Sequence, residues 1–153
     1  MTRQEKYPDT NCFHYFNANP KNKVTSDCII RAISTATGIS YENVMKDLYE
    51  LSVKTGYMLN DDKCYSTYLK ILGWKKYKQP RKEDNTKYTG EEFCEYCEEY
   101  SDTTYVPYIR GNVIAHIGSH HMVAFMKEAH NKYRLYDIWN SLDGCIGNYW
   151  VKE

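Results

Sequence analysis

Along the first two thirds of the chain, apolar residues recur at helical spacing; along the last third they alternate or run in short blocks. The most apolar segment follows Cys28. Ile29, Ile30, Ala32, Ile33 and Ala36 leave almost no polar face, which predicts a buried central helix ending at Gly38. Ser26 and Asp27 precede it as capping residue types. Ser40 is placed to cap a second helix over about 41–55, with Val44, Leu48 and Leu51 on one face and Gly56 as its stop. A third, over about 61–72, carries Cys64, Tyr65, Tyr68, Leu69 and Leu72 and stops at Gly73. Thr89-Gly90-Glu91-Glu92 is the opening signature of a fourth, over about 90–100.

From residue 103 the pattern becomes that of strands. Thr103–Ile109, Asn112–Ile117 and His121–Met126 are β-rich, and Tyr133–Trp139 reads as the hairpin partner of His121–Met126 across the polar turn Lys127–Lys132. A short last piece ends in Tyr149-Trp150-Val151. Helices followed by antiparallel strands predict an α+β fold in a single domain over 1–153, with a central helix from Cys28 packed on a C-terminal antiparallel sheet. Residues 1–25 are polar, Asn17–Lys23 reads as loop, and residues 1–20 are expected to form a flexible arm or a lid.

Charge narrows the partners. Twenty Lys+Arg balance twenty Asp+Glu, so nothing global favours nucleic acid or an anionic membrane surface. Five cations fall within Lys75–Lys82, but Glu83-Asp84 follows at once, and a solvated connection is the expected role. No apolar run approaches the roughly 18–20 residues that span a bilayer. Met1–Lys6 lacks the apolar core of a secretion signal, which leads to the expectation of a cytoplasmic, reducing setting in which the six cysteines are mostly free thiols. Cys94 and Cys97 have Cys-x-x-Cys spacing. Zinc would need two further ligands that the pattern does not supply, and the pair falls inside a helix beside Glu95, Glu98 and Glu99, so it reads as two helix-face thiols. No metal or cofactor is expected.

Candidate chemistry lies instead at Cys28. A helix start carries partial positive charge and unpaired backbone N–H groups, which favour thiolate and can hold an oxyanion. His121 near the start of one strand and Asp137 near the end of its antiparallel partner would be brought together, the acid fixing the imidazole tautomer and stabilising imidazolium. The neighbour His120 is the rival base. Strand alternation sends the two histidines to opposite faces, and the Met-Val-Ala-Phe run that follows favours His121.

Ser26-Asp27-Cys28 opening a buried helix, Gly118–Phe125, and Tyr133–Asn140 with Trp139 two places after Asp137 together resemble the papain-like cysteine peptidase superfamily, and within it compact bacterial or phage members. The resemblance spans about 17–150. It implies a Cys28–His121–Asp137 triad, with Trp139 shielding the Asp–His bond and Asn140 beside it. The superfamily usually has an oxyanion Gln about six residues before the cysteine; Asn22 stands there, and it is equally readable as an ordinary loop residue. The Cys-Gly-Ser-Cys-Trp signature is absent around Cys28. The function so implied is hydrolysis of an amide, isopeptide or thioester in a peptide or protein substrate. The alternatives are an inactive interaction module, such as a phage effector, and an acyltransferase or transglutaminase using the same three residues.

Overall fold

A computed structural model of the chain describes all 153 residues. Helix α1 (Arg3–Lys6) and strand β1 (Phe13–Tyr15) come first, then α2 (Cys28–Thr37), α3 (Tyr41–Thr55), α4 (Asp62–Ile71), β2 (Trp74–Tyr77) and α5 (Gly90–Tyr100). Strands β3 (Val113–Ile117), β4 (His121–Lys127), β5 (Tyr133–Asp137) and β6 (Ile146–Lys152) follow. The fold is α+β, around one six-stranded mixed sheet of order β1-β5-β4-β3-β6-β2.

The long helices form where local chemistry directs them. Ser40 accepts from the Asn43 N–H to open α3, and Thr89 and Glu92 complete a reciprocal capping box on α5. Gly38 takes a left-handed φ of 79° and ends α2, a conformation that penalises side chains bearing a Cβ.

Alternation along the strands, broken by an irregularity where β3 meets β6, divides the core in two. Val113, Ala115, Ile117, Val123, Phe125, Leu135, Tyr149 and Val151 pack with Phe93, Cys94 and Cys97 of α5. Ile114, Met122, Ala124 and Trp150 pack with Ile30, Ile33, Val44, Leu48 and Leu69 of α2, α3 and α4. The sheet is therefore covered on both faces, with α2 lying across β4 and β3.

Three expectations are corrected. Residues 1–20 are not a loose arm. Phe13 is fully buried, β1 pairs in parallel with β5, and this makes the sheet mixed rather than antiparallel. Residues 103–109 form turns instead of a strand, with only a Ser101–Ile109 bridge, because Pro107 has no N–H to donate to a ladder. The solvated connection expected from Lys75 begins as the edge strand β2, which buries Trp74 against β6 and turns Lys75 and Lys76 outward. Cys94 and Cys97 lie on the inner face of α5 as helix-face thiols, and burial raises both pKa values.

Candidate active site

Cys28 is the first residue of α2, so its backbone N–H has no acceptor within the helix. Its side chain lines the same cleft as His121 and Met122 at the beginning of β4. Burial pushes the thiol pKa up. The neighbouring His121 ring and Met122 N–H, with the charges of His121 and Arg31, outweigh it and bring Cys28 below its ordinary value.

His121 Nε2 donates to Asp137 Oδ2 at 2.6 Å across the β4–β5 hairpin, leaving Nδ1 as the nitrogen for Cys28. Burial lowers the His121 pKa, but bonding to Asp137 and Cys28 prevails and raises it to about 9. Trp139 packs on the His121 ring with centroids 5.0 Å apart. Asp137 is only 2 % exposed, and its Oδ1 also accepts from the Ile138 N–H at 2.8 Å.

Arg31 is the residue that the sequence reading passed over. It lies on α2 one turn after Cys28, is 6 % exposed, donates from Nε to Asp27 Oδ1 at 2.7 Å, and hydrogen bonds through Nη1 to Asp137. Asp27 does not cap the helix as its residue type suggested. Its carboxylate faces inward and also accepts from the Tyr41 hydroxyl at 2.7 Å and Asn19 Nδ2 at 3.1 Å. Asp27, Arg31, Asp137, His121 and Cys28 thus form an alternating line of ionisable groups running from the interior to the cleft. A signal for it was present: the one charged residue in α2, set among Ile29, Ile30, Ala32 and Ile33 four places after an acid, needs a buried counter-charge.

Cys28, Arg31, His121 and Trp139 line a cleft of about 870 Å³. His116 and Tyr65 line it too, joined by a 2.7 Å hydrogen bond. Burial lowers the His116 pKa and disfavours its charged form. His120 sits exposed at the rim, so the geometry selects His121 of the two neighbours. Asn22 does not reach the cleft. It is exposed, takes a positive φ of 54°, and accepts from Asn17 Nδ2 at 3.4 Å. Asn140 is likewise outside it, its Oδ1 accepting from the Leu142 N–H at 3.0 Å to shape the turn after β5. The sequence thus brings Cys28, His121, Asp137 and Trp139 together and leaves Asn22 and Asn140 in loop roles.

No protein-family model, no curated protein and no solved structure matches this chain.

Proposed function

We propose that the protein is a cysteine hydrolase of papain-like type, cleaving an amide, isopeptide or thioester bond through Cys28, His121 and Asp137. The observation that carries this reading is one juxtaposition: a cysteine at a helix start shares an open cleft with a histidine, one ring nitrogen of which meets a buried carboxylate.

His121 holds the proton of the Cys28 thiolate–imidazolium pair. The thiolate attacks the carbonyl carbon, forming an S–C bond and an oxyanion. The oxyanion is met by the Cys28 N–H at the start of α2. In place of Asn22, the cleft lining offers side-chain donors at Gln79, Asn148 and Tyr65. His121 then gives its proton to the departing nitrogen or sulfur, and water hydrolyses the acyl-enzyme. Arg31 and the Ile138 N–H fix the Asp137 carboxylate that aims the ring.

Labelling with a thiol-directed amide-mimic probe at neutral pH tests this. Cys28 is expected to react well ahead of the other five thiols, and Cys28→Ala to abolish turnover while leaving the far-ultraviolet dichroism unchanged. A Cys28 no faster than exposed Cys145, or turnover that survives Cys28→Ala, overturns the reading and leaves a binding module on the same scaffold.

A further inference from the structure

Twenty residues line the cleft, and none is an aspartate or glutamate, although the chain carries twenty such residues. Its charged and titratable lining is Arg3, Arg31, Cys28, Tyr65 and three histidines, 116, 120 and 121. Arg31 is already neutralised by Asp27 and Asp137. Arg3 is not. Its Nε donates to the Ile138 carbonyl at 2.7 Å, and neither of its terminal nitrogens has a carboxylate partner. The nearby acids in sequence are engaged elsewhere: Glu5 in the capping box with Thr2, and Asp9 with His14 and Arg134. A guanidinium anchored by Nε with both terminal nitrogens unclaimed is a preorganised carboxylate receptor.

Its position assigns a half of the cleft. The departing group must take its proton from His121, so it leaves on the His121 side. Trp139 covers that ring, and Arg3 is tied to Ile138, the residue between Asp137 and Trp139. We infer that Arg3 binds a carboxylate on the leaving-group half of the substrate, so that the protein releases acidic amino acids or peptides, or ones ending in a free carboxylate. The inference rests on the hydrolase reading for its direction along the substrate. The carboxylate itself undergoes no chemistry: the scissile C–N bond breaks, the S–C bond forms, and the proton passes from His121 to nitrogen.

Two measurements test it. In the first, the full chain is incubated with a mixed peptide library and the products are sequenced by mass spectrometry. Asp, Glu or a free C-terminus is expected within two residues after the cut, and Arg3→Glu should shift that preference to Lys or Arg. Lys6→Gln, an exposed cation on the same short helix but outside the cleft, should leave it in place. Acids enriched before the cut, or no enrichment, overturn the assignment. In the second, Cys28→Ala is titrated with N-acetyl-tetraalanine, its C-terminal amide, and N-acetylated tetrapeptide amides containing one Asp or one Lys. The free acid separates terminal-carboxylate recognition from side-chain recognition. Carboxylate ligands are expected to bind about tenfold tighter than neutral ones at low salt, less so at high salt, and equally in Arg3→Gln. Binding of both the free acid and the Asp peptide to Cys28→Ala no tighter than that of the neutral amide overturns the inference even where no turnover is found. Carboxylate preference with an inert Cys28 overturns the hydrolase reading instead and leaves the receptor standing.

Discussion

At the scale of single residues, the site is a chain of charges in which each member sets the next. The His121 pKa lies at about 9, above its ordinary 6.5, so its share of stability is complete below 6.5 and is lost as pH rises through about 9. The Cys28 pKa is lowered from 9.0, so its share is complete above 9.0 and is lost as pH falls through the depressed value. If Cys28 and His121 react as proposed, the thiolate–imidazolium pair is expected between that depressed value and about 9. Activity should follow the same window, with an alkaline limb near 9. Asp137→Asn removes the hydrogen bond and charge that raise His121, so the limb should move to lower pH and kcat should fall, as read from the pH dependence of Cys28 alkylation and turnover. Arg31→Met leaves two buried carboxylates without their cation. A loss of about 3–5 kcal/mol in urea unfolding is expected, a cost that a surface ion pair would not incur. Cys28, His121 and Asp137 were legible because each occupies a position with its own signal: a helix start, a strand start and a strand end. Arg31 was not, because a charge inside an apolar run shows its partner only once β5 is folded against α2.

At the scale of elements, legibility followed length and capping. The helices at 28–37, 41–55, 62–71 and 90–100 carry full turns of apolar spacing, glycine stops at Gly38 and Gly56, and caps at Ser40 and Thr89. Strands β1 and β2 have three and four residues, too few to display a period of two. Their membership is decided by the sheet edge to which they add, and not by their own sequence. Thr103–Ile109 is the converse case, β-rich in composition yet without the ladder that Pro107 denies it. Short does not mean dispensable. Phe13 is 0 % exposed within β1, and Phe13→Ala should cost about 3–5 kcal/mol in chemical denaturation. Because Tyr15 stands opposite Asp137 and the Phe16 N–H donates to the Asp137 carbonyl at 2.9 Å, the same change should also slow Cys28 alkylation.

At the scale of the whole molecule, the sheet serves two cores, and the cleft opens where α2 meets the β3–β4 turn and the chain following β5. The balanced charge seen in the sequence conceals an uneven distribution, with every carboxylate kept off the cleft lining. No composition figure reports that arrangement, because it depends on which residues the fold gathers. No helix is long and apolar enough to cross a membrane. The pairing of β1 with β5 has a consequence for biosynthesis. Residues 13–15 leave the ribosome early, yet their partners 133–137 are translated some 120 residues later. Until then the N-terminal edge has nothing to dock on, and neither His121 nor Asp137 has been made when Cys28 first emerges. A nascent chain of this protein therefore carries Cys28 through much of its synthesis without the imidazole and carboxylate that the finished fold places beside it.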